Sequence, residues 1–431
     1  MTAVYLSVEN ATRELDAKLL VALDLVRRGA TVIVGQQWLL NENLPHMPPG
    51  VVLFKGLNRV QIANMANARQ AGHIVAANDE EAMGVGDAAF MLRDVSRDLP
   101  AVCDLLLCQG PTQRDWLADV MPADRLTVTG NPRTDLLRPE LRAVHQPEID
   151  RIRAEYGRFV LLNTNCGGIN SAWGDAQQYC AVLVNIGWLD PTKPEDIKLF
   201  QDHMRHDAWN LNALQGFISA LDWPVDGVGL VVRPHPSERL EPWQAFCADR
   251  QGVRIAQEGT AVPWVLASEI LVHTGCTTGV EAAIAGHPTV CIAAPTGFAM
   301  HYLANRVNHL DLNGGGAAWT ARDCIWRGTR PALFTGRGTL EPYFAALDGP
   351  FAYQRVAEAI MAIAPRSAEP WAPGPGFRPS VRRPDYIRRK MDVTLEQFVE
   401  RVGLLDTVAG ARQPIATAQI GESMFVMRPA Q

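Results

Sequence analysis

Short apolar runs alternate with amphipathic stretches along most of this chain. Val4 to Val8 predicts a strand. Thr12 to Arg28 predicts a helix with Leu15, Leu19, Ala22, Leu23 and Val26 on one face; Gly29 ends it, and Thr31 to Val34 is a second strand. The alternation continues with strands at 51–54, 73–76, 104–108 and 126–129 and helices at 60–71 and 112–120. Such βαβ repetition predicts a parallel sheet with helices on both faces. It resumes after residue 158, with strands at 159–165, 228–233, 253–256, 269–273 and 288–293, a long helix at 195–221, and shorter helices at 261–267 and 277–285. Residues 170–190 lack a period and are expected to be irregular, and the Gly-, Arg- and Thr-rich stretch 312–339 is expected to form long loops. A helix at 351–363 closes the pattern.

These periods divide the chain into a first α/β domain (1–137), a linker (138–157), a second α/β domain (158–365) and a Pro/Arg-rich tail with one short helix (366–431). Two doubly wound, Rossmann-like domains facing a central cleft are the expected architecture, with a helical and extended C-terminal tail. Ligands favour such clefts and the carboxyl ends of parallel strands. The first strand-to-helix turn, Ser7 to Glu14, contains no glycine, so it is not a dinucleotide pyrophosphate site.

Composition narrows the class. At 431 residues with 47% hydrophobic and 20% charged residues, the chain has enough apolar surface for more than one core. A net charge of −6 argues against a nucleic-acid partner. There is no eighteen-residue apolar run and no basic leader, and eight scattered cysteines form no CxxC pair, so a reduced, cytoplasmic protein is expected. The tail's Arg366, Arg378, Arg382, Arg383, Arg388, Arg389 and Lys390 suit either peripheral contact with the inner face of an anionic membrane or packing on the protein's own acidic surface.

Candidate chemistry gathers at strand ends. Leu230 to Val232 runs into Arg233-Pro234-His235-Pro236-Ser237, where the prolines stop the strand and hand Arg and His to a loop. About forty residues on, a strand ends in His273-Thr274-Gly275-Cys276-Thr277-Thr278 and opens an alanine-rich helix whose free N–H groups suit an anion. Together they suit a phosphate or nucleotide diphosphate. Glu281, four residues into that helix, either accepts from a ribose or base or is a helix-surface carboxylate. Asn163 and Asn165 either face the ligand crevice or cap the next element. His203 and His206, at i and i+3, lack a third ligand motif, and no metal is expected. In the first domain Asp79, Glu80 and Glu81 follow a strand and are the candidate acceptor-activating carboxylates, with Glu9 next; such clusters also cap helices.

The motifs Val232-Arg-Pro-His-Pro-Ser237 and His273-Thr-Gly-Cys-Thr-Thr-Gly-Val-Glu281-Ala resemble those of bacterial surface carbohydrate biosynthesis proteins, relatives of the Kdo and sialic-acid-type transferases of the two-Rossmann (GT-B) class. The resemblance extends over roughly residues 3 to 300 through Glu9, Arg13-Glu14, Asp79-Glu80-Glu81, Thr129-Gly-Asn-Pro-Arg133 and Leu162-Asn-Thr-Asn165. In the family a glycine follows the acidic cluster at once; here Ala82-Met83 intervene before Gly84, so the register of individual carboxylates stays open. The resemblance implies a metal-independent glycosyltransferase without a cofactor, passing a Kdo or nonulosonic-acid sugar from a CMP-activated donor to a glycan or lipid-linked glycan acceptor. It implies that Arg233, His235, Ser237, His273, Thr274, Gly275, Thr277, Thr278 and Glu281 hold the donor. A sugar-nucleotide 2-epimerase, a CDP-glycerol-type transferase and a non-catalytic partner of a polysaccharide assembly complex are the alternatives.

Overall fold

The computed structural model describes residues 2–93, 95–311, 313–328, 337–365, 377, 379, 384–410 and 414–430. It divides into two compact units: residues 1–82, 92–144 and 340–431 form the first, and 83–91 with 145–339 the second. Each is an α/β unit built on a predominantly parallel sheet, with the GT-B-like architecture of paired Rossmann-like sheets.

The first unit opens with β1 (Ala3–Val8), β2 (Thr31–Gln36), β3 (Val51–Phe54), β4 (Ile74–Asn78), β5 (Leu105–Cys108) and β6 (Leu126–Val128). All pair in parallel, in the order β2-β1-β3-β4-β5-β6. β1, β2 and β3 are buried at every position, as strands covered on both faces must be. The Ala11–Arg27 helix starts where Asn10 accepts the Thr12 N–H, and it buries Leu15, Leu19, Ala22, Leu23 and Val26. Those are the five positions expected from its period.

The second unit carries β7 (Phe159–Asn163), β8 (Gly229–Arg233), β9 (Val253–Ile255), β10 (Ile270–His273), β11 (Thr289–Ile292) and β12 (His309–Asp311), all parallel in the order β12-β11-β10-β7-β8-β9. The stretch expected to be loops at 312–339 instead contains a helix, Gly314–Arg327, which buries Ala317, Ala318 and Ala321. Its opening Gly314-Gly315-Gly316 mimics a loop for a packing reason. A Cβ on Gly314 would lie 2.1 Å from the Ala213 carbonyl oxygen, so the helix starts in backbone contact with the long Pro194–Ser219 helix. Within 170–190, Ala176–Asn185 is also helical, started by an Asp175–Gln178 capping box.

The first sheet is completed by residues expected to be tail. β13 (Ile415–Gly421) and β14 (Met424–Pro429) form an antiparallel hairpin, and β14 pairs antiparallel with β2. The Leu395–Val408 helix brings Phe398 onto Phe425, rings stacked at 4.1 Å. Two of the described basic residues near it are tied to the unit's own carboxylates: Lys390 to Glu9 at 2.8 Å, and Arg388 to Glu422. Arg366, Arg378, Arg382 and Arg383 lie outside the described residues. All eight cysteines are free, and among the described residues no helix is long and apolar enough to cross a membrane.

Candidate active site

In the first unit the carboxyl ends of β1, β3 and β4 carry a dense set of opposite charges. Lys55, one residue past β3, contacts Glu9 at 2.6 Å, Glu14 at 3.1 Å and Glu81 at 3.6 Å. Arg13 reaches Glu81 at 2.7 Å and Glu14 at 3.1 Å. Lys18 and Glu80 form a buried pair at 2.6 Å. Glu14 is fully buried and also accepts the Glu9 N–H at 2.8 Å, so it anchors the strand-to-helix turn.

The four candidate carboxylates therefore sit in different states. Glu80 is committed to Lys18. At Glu9 burial opposes ionisation, but Lys55 and Lys390 outweigh it and hold the carboxyl down at about 2. Glu81 is exposed; what desolvation it suffers is overcome by Arg13 and Lys55, and it too lies below the ordinary range. Asp79 differs from all three. It forms no ion pair among the described residues; its Oδ1 accepts the Glu81 N–H at 3.2 Å. Burial, then the neighbouring charge of Glu81, pushes its carboxyl up to about 7. A carboxyl that titrates near neutrality can both take and give a proton.

In the second unit the ends of β7, β8 and β10 meet the start of the Thr277–Ala285 helix. Asn163 donates to the Thr278 hydroxyl at 3.0 Å, joining the end of β7 to that helix start. The Asn165 carbonyl accepts from Asn210 at 3.3 Å, and its side chain bonds the Tyr302 hydroxyl. His235 is exposed. Its Nδ1 lies 2.6 Å from the Ser237 hydroxyl and accepts the Ser237 N–H at 3.2 Å, which places the proton of the neutral ring on Nε2. Thr277 and Thr278 are partly exposed at the first turn of the helix.

Other residues of the two motifs are structural in their contacts. Arg233 is 7% exposed and donates to the carbonyl oxygens of Glu258 (3.2 Å) and Gly259 (2.7 Å); burial lowers the pKa of its guanidinium. It ties the end of β8 to the 258–259 loop. His273 is fully buried and accepts the Gly275 N–H on Nδ1 at 3.0 Å, and desolvation holds it neutral with a pKa of about 3. Gly279 packs on its ring, where a Cβ would come within 2.3 Å of Nε2. Gly275 has φ +99°, the left-handed region that lets the chain turn from β10 into the helix. Thr274 and Glu281 are buried, at 1% and 6%, so Glu281 is not a surface carboxylate. His203 contacts Asp207 at 3.4 Å and stacks on Phe298, while fully buried His206 bonds Thr296 at 2.9 Å; burial lowers the His206 pKa to about 4.

Glu238 was not legible as a site residue. Its buried carboxylate accepts from Thr164 (2.6 Å), the Cys166 N–H (3.0 Å) and Trp243 (2.9 Å), and it thereby fixes the loop after β7. Thr164 in turn accepts the His235 N–H at 3.2 Å, linking both strand ends.

No protein-family model matches the chain, and no curated protein matches it significantly. Solved structures do. UDP-GlcNAc 2-epimerase from Neisseria meningitidis, crystallised bound to UDP-GlcNAc, aligns with a TM-score of 0.52 at 14% identity, over 84% of this chain and 100% of that one. UDP-GlcNAc 2-epimerase from Methanocaldococcus jannaschii aligns with a TM-score of 0.50 at 11% identity, over 84% and 99%. The likeness is one of fold. It agrees with the GT-B-like architecture expected for the chain.

Proposed function

We propose that the chain acts on a sugar nucleotide, and that inversion at C2 of a UDP-activated sugar describes its chemistry better than transfer from a CMP-activated donor. The observation that carries this reading is the geometry at the end of β4, where half-buried Asp79 has no ion pair among the described residues while Glu9, Glu80 and Glu81 are each paired with a cation. Inversion at C2 takes the C2 proton as the C1–O bond releases UDP and a C1=C2 bond forms, then returns a proton to the opposite face of C2 as UDP adds back to C1, so it needs a group that exchanges protons near neutral pH. Asp79 has that role, while Glu9, Glu80 and Glu81 hold Lys55, Lys18, Arg13 and the turn in place. The second unit holds the nucleotide: His235 Nε2–H, Thr277, Thr278 and the first N–H groups of their helix donate to phosphate. Arg233, His273 and Glu238 shape that site from below its surface. The choice of UDP over CMP is supported by the fold's likeness to UDP-GlcNAc 2-epimerases, one of them crystallised with UDP-GlcNAc.

The test is a nucleotide panel followed by turnover in D2O. UDP should raise the melting temperature more than CMP, CDP or GDP does, since a ligand at a hundredfold its Kd contributes about 2.7 kcal/mol. UDP-GlcNAc incubated without any acceptor should then yield a second epimer carrying deuterium at C2. Selective stabilisation by CMP, with no exchange, would restore the transfer of a Kdo or nonulosonic acid, for which Asp79 is the acceptor base. Silence from every nucleotide would leave the non-catalytic partner as the reading to pursue.

A further inference from the structure

The candidate carboxylates of the first unit draw one cation from the far end of the chain. Lys390 Nζ lies 2.8 Å from Glu9 Oε1, while Lys55 Nζ lies 2.6 Å from Glu9 Oε2. Each oxygen of Glu9 therefore has its own ammonium, and one of them comes from 381 residues downstream.

The backbone beside Lys390 is held in place. Met391 is fully buried, and its carbonyl accepts the Ser423 hydroxyl at 2.7 Å. Ser423 lies in the turn between β13 and β14, and its own carbonyl accepts the Gln36 N–H at 2.9 Å. Gln36 ends β2, and its side chain starts the Gln37–Asn43 helix by accepting the N–H groups of Trp38 and Leu39. The Trp38 ring centroid then lies 5.6 Å from Lys390 Nζ, within reach of a cation–π contact. These contacts close a ring from the end of β2, through the hairpin turn to Lys390, and back to the helix after β2.

What that ammonium does follows from Lys55. Lys55 contacts Glu9, Glu14 and Glu81, and its 3.6 Å contact with Glu81 is longer than the other two. Without Lys390, the Glu9 carboxylate would lean on Lys55 alone and draw it away from Glu81. The Glu81 charge would then press harder on Asp79. Burial and the charges of Glu81 and Glu80 raise the Asp79 carboxyl, while the Glu81 N–H and Lys55 oppose them. The Lys390–Glu9 pair is itself partly exposed, at 37% and 24% for the two side chains, so it adds little to stability. Its consequence is one of position. We propose that Lys390 is a positioning residue of the candidate site, which holds Glu9 and so leaves Lys55 shared with Glu81 beside Asp79. The C-terminal segment thereby completes the charge arrangement begun at β1 and β3. Its bearing on turnover rests on the role proposed for Asp79; the charge arrangement does not.

The experiment is a 13C NMR titration of the Asp79 carboxyl in the full chain, assigned with Asp79→Asn. Lys390→Met should move the midpoint upward by about 0.2–0.7 pH, the scale set by a partly exposed ion pair. It should melt within about 3 °C of the wild type. Lys390→Arg keeps the charge and should restore the midpoint. Glu9→Gln releases Lys55 toward Glu81 and should move the midpoint downward, and adding Lys390→Met to it should move it no further. An unmoved midpoint in Lys390→Met overturns the proposal, whether or not the variant melts lower. So does a Lys390→Met shift that persists in the Glu9→Gln background, because Lys390 would then act by another route. Failure of the wild type to turn over a UDP-sugar would sink the functional reading of Asp79, and the titration would still decide the role of Lys390.

Discussion

The two units are both built on parallel strands, ordered β2-β1-β3-β4-β5-β6 in the first and β12-β11-β10-β7-β8-β9 in the second, and their strand ends differ in chemistry. In the first, β1, β3 and β4 end among Glu9, Lys55, Asp79, Glu80 and Glu81, a lattice of alternating full charges. In the second, β7, β8 and β10 end in amides, hydroxyls and imidazoles, with Arg233 turned inward onto backbone carbonyls and His273 held neutral. The first arrangement raises the pKa of one carboxyl, by burial and then by the neighbouring charge of Glu81. On the proposed reading, the second presents neutral donors to an anion, with no ion pair to break first. On that reading, two related α/β scaffolds divide proton handling from anion binding through which side chains follow each strand.

Several substitutions would break that contrast. Asp79→Asn should have the largest effect, cutting turnover by about 10²- to 10⁴-fold while leaving nucleotide affinity as it was, measured by calorimetry beside steady-state kinetics. An unchanged rate would remove proton handling from the first unit. Lys18→Met leaves Glu80 buried without its cation and should cost about 3–5 kcal/mol in urea unfolding. His235→Ala should weaken nucleotide binding by about tenfold, the worth of one charge-assisted hydrogen bond. Arg233→Ala should lower the melting temperature with affinity retained, because its contacts are to the 258–259 backbone. Equal loss of affinity in both variants would return Arg233 to the phosphate.

The smallest effect is a difference in pH dependence. Glu9 is lowered from 4.5 to about 2, so its stabilisation is fully present above 4.5 and is lost as pH falls toward 2. Glu9→Gln should flatten that acid limb. Asp79 is raised from 3.8 to about 7, so the stability linked to it is fully present below 3.8 and declines as pH rises through 7. Asp79→Asn should remove that decline, and thermal melts across the range would show both slopes.

Most strands and helices of both sheets were legible because each repeats a local period, as in the Ala11–Arg27 helix. What escaped depends on distant partners. β14 has an apolar run, Met424-Phe425-Val426-Met427, but its partner β2 lies almost four hundred residues earlier, and that distance left it within the expected tail. The Gly314–Arg327 helix escaped because its opening run of three glycines, of which Gly314 permits close packing, looks like flexibility. The acidic cluster was visible as a cluster, but not the cations Lys18, Lys55 and Lys390 that divide it into paired and unpaired members. The Arg233 motif was found correctly as a strand end, and its side chain turned the other way because Glu258 and Gly259 present carbonyls that no local pattern announces.

The antiparallel pairing of β14 with β2 also orders events in time. During synthesis β2 leaves the ribosome long before Met424–Pro429, and residues 145–339, which build the second unit, emerge in between. The second unit can therefore fold while the first still presents an unpaired β2 edge, a surface that invites wrong partners. A nascent chain halted before residue 424 is a natural client for chaperones, and the β2 edge is covered only once Met424–Pro429 has emerged.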